Sequence, residues 1–109
     1  MTNTKVVYPG TFDPLTYGHL DIIQRAANMF GNVTVLLAQN LSKNTYFTLE
    51  ERTQMIKEAI VEMHLEDKVK IASYQGLLVE YCKENNITVI IRGIRPLVDF
   101  EYEFEMAMT

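Results

Sequence analysis

The sequence predicts an α/β fold, a Rossmann-like open parallel sheet with helices on both faces. Two observations carry this. Short strand-like runs recur roughly every two to three dozen residues with one helix-like segment between them, the length a parallel crossover needs. These runs are apolar almost throughout instead of alternating, so they require cover on both faces. At 109 residues, 48% apolar and 22% charged, the chain has the size and make-up of one globular domain.

Lys5–Pro9 reads as the first buried strand. Leu20–Phe30 follows as a helix, with Ile23, Ala26, Ala27 and Phe30 at helical spacing and Gly31 as a natural stop. Asn32–Ala38 is a second strand, and residues 39–47 are polar and irregular. Thr48-Leu-Glu-Glu51 is a capping box that opens a helix to about His64, with Ile56, Ala59, Ile60 and Met63 as its inner stripe. Val69–Ser73 is a third strand, Leu77–Asn85 a third helix and Ile87–Ile91 a fourth strand. Leu77 and Leu78 are expected to close over the core. After a turn at Arg92–Pro96, the spacing of Phe100, Phe104, Ala107 and Met108 predicts the start of a fourth helix. A doubly wound sheet usually has more than four strands, so residues 1–109 are expected to be the N-terminal two-thirds of a longer domain.

Composition excludes several classes. Ten Lys and Arg against fourteen Asp and Glu give a net charge of −4, so the chain has no general attraction for nucleic acid. An anionic ligand must then be held by a few local groups. Cys82 is the single cysteine, which rules out an internal disulfide or a cysteine-based zinc site and fits a reducing cytoplasm. No apolar stretch approaches the roughly 20 residues that cross a bilayer.

In an open parallel sheet, ligands bind beyond the carboxyl ends of the strands. That rule selects residues 9–19, 39–47, 74–77 and 92–103. In the first loop, Gly10 would let a ligand approach the backbone, and Asp13-Pro14 marks a turn. Gly18 and His19 fall at a helix start, where free N–H groups attract anions. The plainer reading is a capped turn with an idle histidine. The loop is neither a Walker P-loop nor a dinucleotide Gly-x-Gly-x-x-Gly. Lys43 is either a solvated lysine or a mobile ammonium for phosphate. Arg92 and Arg95 flank Gly93-Ile94 at the end of a buried strand, where a guanidinium calls for an anion. Internal pairing with Asp99, Glu101 and Glu103 is the plainer explanation. His64 needs no role beyond a place near a helix dipole.

Thr16-x-Gly-His19 is similar to the Thr/His-x-Gly-His signature of the nucleotidyltransferase superfamily. Tyr8-Pro-Gly-Thr-Phe-Asp-Pro-Leu-Thr-Tyr-Gly-His-Leu-Asp21, Ser42-Lys43 with Phe47-Thr-Leu-Glu-Glu-Arg52, and Ile91-Arg-Gly-Ile-Arg-Pro-Leu-Val-Asp-Phe-Glu-Tyr-Glu103 together resemble the bacterial phosphopantetheine adenylyltransferase family. The resemblance covers the whole chain. It implies transfer of AMP from ATP to 4′-phosphopantetheine, giving dephospho-coenzyme A and pyrophosphate, without a covalent enzyme intermediate. It implies His19, Thr11, Lys43 and Arg92 as the catalytic set. Thr11, Phe12, His19, Gly93, Ile94, Arg95 and Glu103 would face ATP, and Thr11, Lys43, Leu78 and Arg92 the phosphopantetheine. Mg²⁺ would be held chiefly by ATP and not by protein ligands. A cytoplasmic homo-oligomer, hexameric in the family, is implied as well. Members carry about fifty further residues, including an Ile-Ser-Ser segment that holds the ATP phosphates. The alternatives are a related nucleotidyltransferase with another acceptor phosphate, such as nicotinamide mononucleotide, or an inactive fragment that keeps partial substrate binding.

Overall fold

A computed structural model describes residues 4–39 and 45–92, together with the backbone of residues 103–106. The elements are β1 (Val6–Gly10), α1 (Tyr17–Phe30), β2 (Val33–Ala38), α2 (Leu49–Glu62), β3 (Val69–Tyr74), α3 (Leu78–Glu84), β4 (Val89–Arg92) and β5 (Glu103–Met106). They build a five-stranded sheet in the order β3-β2-β1-β4-β5. β1 pairs in parallel with β2 and β4, and β2 in parallel with β3. The open parallel sheet expected from the sequence is therefore present.

Side-chain alternation along the strands splits the core into two layers. Val6, Tyr8, Val33, Val35, Leu37, Val69 and Ile91 pack with Ile23, Ala26 and Ala27 of α1 and Ile56 and Ile60 of α2. Val7, Leu36 and Ile90 point the other way and meet Cys82 of α3. The chain steps outward from β1 to β3 under α1 and α2. It then returns past β1 to β4 under α3. The hand of the crossover is thereby kept while the face changes.

Capping chemistry explains where the helices begin and end. α1 starts at Tyr17, earlier than the apolar spacing indicates, because Thr16 serves as N-cap. Thr48 and Glu51 form the expected capping box of α2. That helix ends in a Schellman turn, in which Leu65 N–H reaches Ile60 O and His64 N–H reaches Val61 O. His64 occupies the left-handed position of this turn, φ 59°, so its backbone has a structural task that a dipole argument does not capture. α3 ends the same way, with Asn86 at φ 56° and Ile87 N–H on Cys82 O.

Two expectations need correction. The fourth helix does not form across residues 103–106. Glu103–Met106 is a strand antiparallel to β4, with Phe104 opposite Ile91. Glu-Phe-Glu-Met alternates with period two, and β4 offers it an open edge, so the strand reading prevails. Phe100, Ala107 and Met108 lie outside the described residues. Leu77 is 66% exposed and does not close over the core, whereas Leu78 packs against it.

Candidate active site

Strand order reverses between β1 and β4, because the chain leaves β1 on one side and returns on its other. In open α/β sheets this switch point opens a crevice at the carboxyl ends of the strands. Thr11 leaves β1 at that rim, and Arg92 ends β4 at the same rim beside it. Arg92 is exposed there. The topology thus brings Thr11 and Arg92 to one edge, although they stand far apart in sequence.

His19 is held by the start of α1. Its backbone N–H donates to Thr16 Oγ1 at 3.3 Å, and Thr16 N–H donates back to the ring Nδ1 at 3.0 Å. A backbone N–H can only donate, so Nδ1 must be the unprotonated nitrogen. The neutral ring then carries its proton on Nε2, free of the cap. Burial lowers the His19 pKa from its ordinary value, which favours this neutral form. The imidazole stands edge-on to the Phe12 ring, with centroids 4.9 Å apart, and Phe12 stands edge-on to Tyr8 at 5.3 Å. This aromatic stack carries the register of β1 to the imidazole.

The stack also changes the reading of two residues. Phe12 is only 3% exposed, so its ring belongs to the core and is not an open surface of the loop. A Cβ on Gly10 would meet the Phe12 ring at 3.1 Å. Gly10 thus leaves room for the Phe12 ring inside the loop.

Two side chains that sequence reasoning passed over tie the loops together. The Asp13 carboxylate accepts from Tyr46 N–H at 2.6 Å and Phe47 N–H at 2.9 Å. Arg52 of α2 is 5% exposed and donates to Thr11 O at 2.9 Å, Phe47 O at 3.2 Å and Thr48 O at 3.3 Å. A signal for Arg52 existed: it precedes Ile56 and Ile60 at four-residue spacing, so it faces the core.

Leu78, at the rim beyond β3, packs against the core layer of Val7, Leu36, Cys82, Ile87 and Ile90, as do Tyr74 and Tyr81. Lys43, Gly93, Ile94 and Arg95 lie outside the described residues, as does the side chain of Glu103. No three His, Cys, Asp or Glu side chains gather to hold a metal ion among the described residues.

Residues 7–109 match the model of the cytidylyltransferase-like family. The chain belongs to that family. Cytidylyltransferase-like relatives with curated names include the phosphopantetheine adenylyltransferase of Coprothermobacter proteolyticus, 50% identical over 94% of this chain and 63% of its own length. The phosphopantetheine adenylyltransferase of Dictyoglomus turgidum is 50% identical over 96% of this chain and 64% of its own. That of Dictyoglomus thermophilum is 48% identical, with 96% and 62% covered. The chain thus spans a little under two thirds of the length of these relatives.

Proposed function

We propose that this cytidylyltransferase-like chain is the N-terminal part of an adenylyltransferase that joins ATP to 4′-phosphopantetheine, yielding dephospho-coenzyme A and pyrophosphate. The observation that carries the reading is the His19 imidazole, whose Nδ1 accepts from Thr16 N–H and whose pKa burial lowers, so that the neutral ring carries its proton on Nε2, on the loop that leaves β1 at a strand-order switch point. The names of relatives half identical over nearly all of this chain support the choice of substrates.

The mechanism follows from charge. A phosphomonoester carries about −1.5 to −2 charges near neutral pH, so the acceptor phosphate is itself the nucleophile and needs no general base. It attacks the α-phosphorus of ATP, and the bond from that phosphorus to the bridging oxygen of pyrophosphate breaks. The protein must align two polyanions and offset their repulsion. Thr11 would orient the acceptor phosphate. His19 Nε2–H would donate to the oxygen on which charge grows. Lys43 and Arg92 would neutralise the acceptor phosphate, with Leu78 along the pantetheine arm. Gly93, Ile94, Arg95 and Glu103 would line the ATP side, joined by the backbone of Thr11 and Phe12. ATP would enter as its Mg²⁺ complex, the ion held by phosphate oxygens and water. A cytoplasmic homo-oligomer, hexameric as in the family it resembles, belongs to the same proposal. Among the described residues no helix is long and apolar enough to cross a membrane.

The test is pyrophosphate release with both substrates. His19→Ala should lower turnover on the order of 10²–10³-fold with little change in substrate binding. Arg92→Ala should weaken phosphopantetheine binding most. Unchanged turnover in the first variant removes His19 from the chemistry. No turnover in the wild-type chain refutes adenylyl transfer by it.

A further inference from the structure

We infer that Arg52 is a positioning residue that aims the backbone N–H of Phe12 at a phosphate of the bound nucleotide; the inference rests on the adenylyltransferase reading above. Three observations lead here. Arg52 is buried to 5% exposure, yet the acceptors that the structure gives it are backbone carbonyl oxygens. Burying a guanidinium is costly, so a buried one retained for carbonyl contacts points to a demand on the backbone it grips. One of those carbonyls, Thr11 O, belongs to the first peptide beyond the carboxyl end of β1.

The second observation is the conformation of the next residue. Phe12 has φ 53°, in the left-handed region that a bulky side chain rarely adopts. Such a conformation costs on the order of 1–3 kcal/mol and persists only where its surroundings over-determine it. Here the surroundings are the Phe12 ring, packed between Tyr8 and His19, and the Arg52 grip on the peptide before it.

The third observation is direction. In a trans peptide the C=O and the following N–H point opposite ways. With Thr11 O drawn toward Arg52 of α2, the Phe12 N–H points away from α2. None of the hydrogen bonds among the described residues uses that N–H. It leaves the rim of the switch point on the same short loop that ends in the Thr16–His19 cap. An aimed and unused donor there suits an anionic oxygen. Arg52 itself touches no substrate; it sets the angle of the peptide that does.

The experiment follows the Phe12 amide by ¹H–¹⁵N NMR while MgATP is titrated, alongside pyrophosphate-release kinetics, in the wild type and in Arg52→Lys. Lysine keeps the charge but cannot reach several carbonyls in one plane. The expected result is a large Phe12 shift in the wild type that shrinks in the variant. Turnover should fall on the order of 10-fold or more, while KM for phosphopantetheine stays within about 2-fold. A purely structural role would lower the melting temperature without this split. Equal Phe12 shifts and equal turnover in both proteins overturn the role of Arg52 and leave the adenylyltransferase reading standing. A wild-type Phe12 amide that ignores MgATP removes the anion site, and the inference falls with it. Should Arg52→Lys fail to fold, replacing the Thr11–Phe12 amide by an ester deletes the N–H with every side chain in place. Turnover unaffected by that ester overturns the inference, and a fall of similar size supports it.

Discussion

Replacing Asp13 by Ala should destabilise this chain far more than a half-exposed carboxylate usually does. The side chain accepts two backbone N–H groups, from Tyr46 at 2.6 Å and Phe47 at 2.9 Å, in a segment more than thirty positions away. Each hydrogen bond to a charged group is worth about 1.5–3 kcal/mol net. Both bonds lie near solvent, and water can take over the freed N–H groups, so the pair together should contribute about 2 kcal/mol. For a chain of this size that converts to a fall in melting temperature of about 8 °C. Asp13→Asn keeps one neutral acceptor and should lose about half as much. The contrast is Asp21, whose 3.2 Å pair with Arg25 is an exposed i,i+4 contact. Asp21→Ala should cost no more than about 0.5 kcal/mol. Thermal unfolding by circular dichroism reads all three variants, and amide exchange at Tyr46 and Phe47 localises the effect. A loss under about 2 °C for Asp13→Ala, with exchange unchanged, refutes the claim that this carboxylate joins the two segments.

The other predictions concern protonation and helix ends. The His19 titration midpoint should lie below about 6.5, with Nδ1 unprotonated in the neutral form; ¹⁵N NMR reads both, and a midpoint at or above 6.5 contradicts the burial argument. Since the folded pKa is the lower one, the folded state binds fewer protons in that window. The His19 contribution to stability is therefore full above about pH 6.5 and fades as pH falls through the folded midpoint. His64→Gly should raise stability by about 0.5–1 kcal/mol, because glycine adopts the left-handed turn position freely; denaturant midpoints that fall instead would disprove it. Cys82 is buried and its thiol is pushed up by that burial, so thiol reagents at pH 8 should label the native protein far more slowly than the unfolded chain. Equal labelling rates would show that α3 does not hold Cys82 against the sheet.

Much of this structure is local and therefore readable in the chain. Thr48 to Glu51 announces the start of α2 because a capping box needs only residues three apart. The apolar runs at β1, β2 and β4 are legible because a strand covered on both faces has no place for polar residues. Glu103–Met106 misled because four residues with two apolar members fit either period, and only the free edge of β4 settles which one is adopted. Lys43, Gly93, Ile94 and Arg95 of the expected site lie outside the described residues, so their placement stays a proposal.

Residue order within a dozen positions was enough to define the first four strands, the three helices between them and the loop from Thr11 to His19. It could not tell that Arg52 reaches the carbonyl of Thr11, that Asp13 receives Tyr46 and Phe47, or that the Phe12 ring occupies the space above Gly10. The Arg52 and Asp13 contacts join segments more than thirty residues apart, and their partners are backbone atoms that every residue possesses. A bond to a carbonyl leaves no mark on the identity of the residue that supplies it, so such a tie emerges only once the sheet has brought the two loops side by side.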